Sequence, residues 1–160
     1  LSFSIYRLGM TGIGIVSTLG MLKIIPNYWP SPQTIAFASR SISGCKATDG
    51  DTIRCGEERI RLIGIDAPEM PGHCAPGRNC ALGDPFASRD SLSAAMTGKM
   101  RIWRSGQDRY GRTLALITSD KGDLSCWQLQ NHQATYRPDW DQGRLAGLCQ
   151  DVLAGARTND

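Results

Sequence analysis

The sequence predicts a mainly β fold with α-helices: a five-stranded Greek-key barrel of the OB type with two to three helices. Three observations lead there. Five short β-rich runs are separated by turn signals. One well-capped helix falls between the third run and the fourth. The chain has 160 residues, enough for one domain with a core and short for two ordinary ones. With 41% hydrophobic and 21% charged residues, wholesale disorder is excluded.

The elements follow in order. Gly44 to Thr48 and Thr52 to Cys55 are the first two strands and flank Asp49-Gly50, a hairpin-type turn pair. Arg59 to Ile65 is the third, after the polar turn Gly56-Glu57-Glu58. Pro68 to Gly83 is rich in Pro and Gly and reads as a loop. Asp84-Pro85 opens a helix, with Asp as N-cap and Pro at the first helical position. That helix runs to about Thr97, ends at Gly98, and offers Phe86, Leu92, Ala95 and Met96 as an apolar stripe. Lys99 to Arg104 is the fourth strand, alternating Met100, Ile102 and Arg104 against Arg101, Trp103 and Ser105. Thr113 to Thr118 is the fifth. Leu124 to about Gln133 is a second helix, and a third falls within Pro138 to Cys149. Residues 44–160 form the folded domain in this reading.

The N-terminal stretch is different. Leu8 to Leu22 is an uncharged run between Arg7 and Lys23, which suits a signal-peptide core or a short membrane anchor over residues 1–26. Membrane association would then run through residues 8–25, with Tyr28 and Trp29 at the interface. A buried helix of the domain is the rival reading. Residues 27–43 are a Pro- and Ser-rich linker. Residues 1–40 carry Arg7, Lys23 and Arg40 and no acid, so the remaining 15 basic residues match the 15 acidic ones. The domain is not a polybasic nucleic-acid sponge, and any nucleic-acid contact must be a local cluster.

The six cysteines are an even set, as in an oxidising, extracytoplasmic compartment: periplasmic, secreted, or membrane-anchored facing outward. Zinc is the rival, but no two cysteines have the close spacing of a zinc knuckle, and His73 and His132 are isolated. Cys45 and Cys55 are equidistant from Gly50, so a hairpin there sets them opposite each other. Cys74 and Cys80 bracket a Pro/Gly loop, which leaves Cys126 with Cys149.

Three motifs carry chemistry. They are Asp49-Gly50-Asp51-Thr52, then Arg61-Leu62-Ile63-Gly64-Ile65-Asp66-Ala67-Pro68-Glu69, then Asp108-Arg109-Tyr110-Gly111-Arg112. Singly, each reads as a polar strand end or a turn, and Asp49 reads as a turn residue. Together they supply carboxylates for a hard divalent cation. They also supply arginines that bind phosphate oxygens through paired N–H donors. Trp103, Trp127 and Trp140 read as packing residues, and His73 and His132 as incidental.

In this order and spacing the motifs resemble the thermonuclease family, over about residues 44–140. The resemblance implies an OB-fold barrel, one calcium ion, and cleavage of DNA and/or RNA leaving 3′-phosphates; a monomer is expected. It implies that Asp51, Asp66 and the carbonyl of Ala67 hold the metal; Ala67 stands where the family often has threonine. Glu69 aligns with the water-activating glutamate, and Arg61 and Arg112 with the catalytic phosphate-binding arginines. Arg109, Tyr110 and Tyr136 align with nucleotide-contacting positions. The chain departs from the family in its cysteines and in the Pro71–Leu82 loop. A nucleic-acid or protein-binding module on the same fold is the alternative function, since fold alone does not give activity. Such a module would be expected to lose Arg61, Glu69 or Arg112, and all three are present.

Overall fold

The computed structural model describes residues 39–141 and 143–156. The apolar run 8–22 and most of the linker lie outside the described residues, as does the expected membrane association through residues 8–25.

Strand formation starts within the stretch read as linker. β1 (Arg40–Ile42) is followed, after Ser43-Gly44, by β2 (Cys45–Ala47). Then come β3 (Thr52–Cys55), β4 (Glu58–Leu62) and β5 (Ile65–Asp66). The helix α1 (Pro85–Ala95) precedes β6 (Met100–Gln107), β7 (Thr113–Ser119) and β8 (Gly122–Asp123). The chain continues through α2 (Leu124–Gln130), β9 (Thr135–Tyr136), α3 (Pro138–Asp141), α4 (Arg144–Leu148) and α5 (Gln150–Ala156). The main sheet runs β1-β6-β7-β4-β3-β2, with β8 on β7, and β5 pairs with β9 apart from it. β4 and β7 are parallel, and the other neighbours are antiparallel. The two ends of this path, β1 and β2, are consecutive in the chain. The result is mainly β, a curled half-barrel sheet with a few helices, compatible with an OB-type fold.

The hairpin register is the expected one: Cys45 faces Cys55, and Ala47 faces Ile53. The predicted third strand splits at Gly64, whose φ of 73° is open to glycine and strained for other residues. A Cβ there would also lie 2.7 Å from the Leu145 Cδ1 atom. On α1, Asp84 accepts from the N–H groups of Phe86 (2.8 Å) and Ala87 (3.3 Å), a cap that contributes about 1 kcal/mol. The buried face of α1 is Ser88, Leu92 and Ala95, at i, i+4 and i+7; Phe86 is off that face and exposed. The β6 alternation holds for Met100 and Ile102, then breaks at a bulge between Arg104 and Gly106. α2 stops short of Gln133 because His132 takes a left-handed φ of 55°.

Ile53, Ile60, Leu62, Ile65, Leu92, Ile102, Ile117, Leu124 and Leu145 fill the core between sheet and helices. Each such side chain contributes about 1.5–3 kcal/mol by leaving water. All three expected disulfides form: Cys45–Cys55, Cys74–Cys80 and Cys126–Cys149. Such a set belongs to an oxidising, extracytoplasmic environment. Among the described residues no helix is long and apolar enough to cross a membrane.

Candidate active site

The loop after β2 is shaped by its own polar groups. The N–H groups of Thr48 and Asp49 donate to the Thr52 carbonyl at 2.9 and 3.4 Å. The Asp51 N–H donates to Asp49 Oδ1 at 3.1 Å, so Asp49 closes an Asx turn. Gly50 lies against α1, where a Cβ would meet Ser88 Oγ at 1.8 Å and Ala67 Cβ at 2.7 Å. Gln128 Nε2, from α2, donates to the Gly50 carbonyl (2.7 Å) and the Ser88 carbonyl (2.9 Å). Two helices therefore clamp this loop, and Asp51 is carried into the interior.

The second motif meets it there. Arg61, on β4, and Asp66, on β5, are both buried. Arg61 Nη2 lies 2.9 Å from Asp51 Oδ2 and 3.2 Å from Asp66 Oδ1, while Nη1 donates to Asp51 Oδ1 at 3.1 Å. The Ala67 N–H donates to Asp51 Oδ2 at 3.2 Å, and Thr52 Oγ1 donates to Oδ1 at 2.9 Å. Burial pushes the Asp51 carboxyl up to about 7, although Arg61 pulls it down; Asp49 raises it further.

Two more arginines reach Asp66. Arg78, inside the loop closed by Cys74–Cys80, donates through Nη2 to Asp66 Oδ1 and through Nη1 to Glu69 Oε1, both at 2.7 Å. Arg137, just after β9, lies 3.4 Å from Asp66 Oδ2. Burial alone would lower the Arg78 pKa, but Asp66 and Glu69 outweigh it and raise it.

The third motif is a turn held by one carboxylate. Asp108 accepts from the N–H groups of Tyr110 and Arg112, each at 2.9 Å, and from Arg112 Nε at 2.7 Å. Burial alone would raise Asp108; these hydrogen bonds outweigh it and hold the carboxyl below its ordinary value. Arg112 Nη1 lies 3.4 Å from Thr52 Oγ1, which brings this turn to the start of β3. The Arg109 and Arg112 guanidiniums sit 4.8 and 5.6 Å from the Tyr110 ring centre.

Arg61, Arg78, Arg109, Tyr110, Arg112 and Trp140 all line one pocket of about 450 Å³. Of the residues expected from sequence, Asp51, Arg61, Asp66, Ala67 and Glu69 form one contiguous network, and Arg109, Tyr110 and Arg112 form the facing turn. Tyr136 pairs with Ile65 across β5 and β9, and its hydroxyl donates to Asp141 at 2.7 Å, a partner outside the pocket. Sequence reasoning missed Arg78 and Arg137 and read Trp140 as packing. Trp140 is partly exposed, with Arg137 4.2 Å and Arg61 5.2 Å from its ring centre. An arginine between two loop cysteines, and one beside Tyr136, were the signals available for the two cations.

The donors suit a hard cation. They are carboxylate oxygens, and Asp51 and Asp66 converge closely enough to share Arg61 Nη2, at 2.9 and 3.2 Å. The guanidiniums suit an anion of phosphate geometry.

The chain is similar to a protein named as an endonuclease. That relative, an uncharacterised endonuclease of Haemophilus influenzae, is 34% identical over 100 residues, covering 57% of this chain and 51% of its own length. The succinoglycan biosynthesis protein ExoI of Rhizobium meliloti is 30% identical over 112 residues, covering 68% of this chain and 59% of its own length. The chain thus spans a little over half the length of these curated relatives. No family model matches it.

Proposed function

We propose that this protein is a thermonuclease-like endonuclease, hydrolysing phosphodiester bonds of DNA and/or RNA with one calcium ion and leaving 3′-phosphates. The half-barrel is read as the five-stranded OB-type Greek-key barrel, its first strand bent at Ser43-Gly44 into β1 and β2. One observation carries the proposal: Arg61, Arg109, Arg112 and Tyr110 wall a single pocket, and Arg61 joins that pocket to the buried pair Asp51 and Asp66. The named endonuclease relative supports the same reading.

In this reading Asp51, Asp66 and the Ala67 carbonyl hold the cation. Bound there, a divalent ion would offset phosphate charge and make a nearby water more acidic. Arg112 has one nitrogen on Asp108 and one near Thr52; among the described residues no hydrogen bond engages its Nη2, which is available to a phosphate oxygen. Arg61 lines the pocket while holding both carboxylates, so it links charge on the phosphate to the cation side. Glu69, next along the chain from Pro68, is the group to accept the proton of the attacking water. Arg109 and Tyr110 present a cation and a ring to the nucleotide, and Tyr136 supports β5 from behind. The joint presence of Arg61, Glu69 and Arg112 favours hydrolysis over a binding module without catalysis.

Residues 1–26 are read as the export signal or anchor, in keeping with the three disulfides. The test of function is incubation of the purified protein with plasmid DNA and with RNA, with calcium or with excess chelator. Cleavage with calcium that stops with chelator is expected, and label should enter product 3′ ends only after phosphatase. Undiminished cleavage in chelator would remove the metal from the proposal.

A further inference from the structure

We propose that Arg78 is a resident counter-cation of this site, competing with the divalent cation for Asp66 and Glu69 from a loop that the Cys74–Cys80 disulfide holds in place. The inference rests on the metal-dependent reading above.

The network already holds three guanidiniums beside its three carboxyl groups. Asp51, Asp66 and Glu69 face Arg61, Arg78 and Arg137. A divalent cation entering this network adds two positive charges beside three guanidiniums, in surroundings where like charges repel more strongly than in water. Binding is relieved if one guanidinium withdraws, and the three are not equally free to do so. Arg61 is buried and held by both aspartates and by the Ile65 carbonyl at 3.3 Å. Arg137 is held by its ring contact with Trp140, at 4.2 Å. Arg78 has the shortest contacts of the three, 2.7 Å to each of its two acids. Its side chain is 36% exposed, as is that of Arg137, but Arg78 extends from a loop without strand or helix and does not share the Trp140 ring that holds Arg137. Its hold on the site is therefore almost wholly electrostatic, which makes it the guanidinium that a stronger cation displaces.

The disulfide decides how far Arg78 can retreat. Cys74 and Cys80 are six positions apart, so the bridge closes a short ring around Arg78. A short closed loop has few open conformations, and the effective concentration of Arg78 at Asp66 stays high. Opening the ring should lower that concentration and weaken the competition. Calcium affinity thereby becomes a property of a surface loop as well as of the carboxylates.

The test is calorimetric titration of calcium chloride into the purified full chain and its variants, with thermal melts in parallel. Arg78→Gln should bind calcium about tenfold more tightly than the parent, equivalent to about 1.4 kcal/mol. Without calcium the same variant should melt lower, and added calcium should raise its Tm more than the parent's. Arg78→Lys, which keeps the charge but not the two-nitrogen grip, should bind calcium with an affinity between those of the parent and Arg78→Gln. The double variant Cys74→Ser/Cys80→Ser should bind more tightly than the parent but less so than Arg78→Gln. It also carries the test if Arg78→Gln does not fold. Equal or weaker calcium binding by Arg78→Gln, or by the double variant in its place, would overturn the inference and leave the metal reading intact. Absence of calcium uptake by parent and variants alike would overturn both.

Discussion

The two sides of the pocket are built in opposite ways. On one side, Asp51, Arg61 and Asp66 come from three separate elements and are buried, each satisfied by partners elsewhere in the chain. On the other, Asp108 to Arg112 is a turn organised by the Asp108 carboxylate and two local backbone hydrogen bonds, with Arg109 and Tyr110 exposed. The difference separates stability from reactivity. A guanidinium that neutralises buried carboxylates is part of the fold, and its loss leaves uncompensated charge inside. A guanidinium on a self-sufficient turn can be removed with little effect on the fold.

The largest expected effect sharpens that contrast on the turn side. Arg112→Ala should lower the nuclease rate by about 10³–10⁵, if the guanidinium acts on the transition state as arginines do in phosphoryl transfer. Its melting should remain close to the parent's. A folded Arg112→Ala protein cleaving plasmid at the parental rate would show that the turn has no part in chemistry.

Arg61→Ala tests the buried side. It should cost about 3–5 kcal/mol of stability, read from denaturant unfolding, because Asp51 and Asp66 lose their shared partner. A loss below about 1 kcal/mol would mean that Arg78 and Arg137 alone suffice, and the two sides would be more alike than they look.

A smaller effect concerns pH, away from the pocket. Asp123 caps α2 through the N–H groups of Ser125 and Cys126, and burial pushes its carboxyl from 3.8 up to about 6, with Asp141 adding to the rise. The raised value means that the folded state binds the proton more tightly than the unfolded chain. The contribution of Asp123 is therefore most favourable below about pH 4 and is lost as pH rises from there through 6. Asp123→Asn keeps the cap acceptor without the charge. It should be more stable than the parent by about 1–2 kcal/mol at pH 7.5, with the difference shrinking towards pH 4.5. Denaturant melts at the two pH values decide it, and a constant difference would remove the burial argument.

The smallest effect returns to the turn. Asp108→Ala removes the acceptor of two N–H groups and of Arg112 Nε, but the Gly111 N–H still donates to the residue-108 carbonyl. A stability loss of about 1 kcal/mol is expected, because the freed groups reach water. Activity should fall about tenfold through the loosened Arg112, as measured on the same plasmid substrate.

Much of the fold was legible because its causes are local. Asp84-Pro85 marks a helix start whatever surrounds it, and Cys45 and Cys55 face each other once the chain turns at Gly50. The strand ends were less legible. Gly64 splits one strand because α4 presses Leu145 against it, and the β6 bulge shifts a register that alternation alone would have continued. Phe86 looked like core by residue type and is exposed because its angular position on α1 points away from Leu92.

For the site, sequence alone determined which residue types stand at which spacing, hence the Asp51, Arg61, Asp66 and Arg112 set and the three disulfide pairs. Tertiary structure alone decided who pairs with whom. Arg78 reaches Asp66 across 12 residues and Arg137 across 71, and neither distance carries a periodic or motif signal. A guanidinium ends on a long flexible stem, so its partner is chosen by where loops and helices come to rest. Asp51 likewise looks like any turn carboxylate until α1 and α2 close over Gly50 and remove it from water, which is what changes its chemistry.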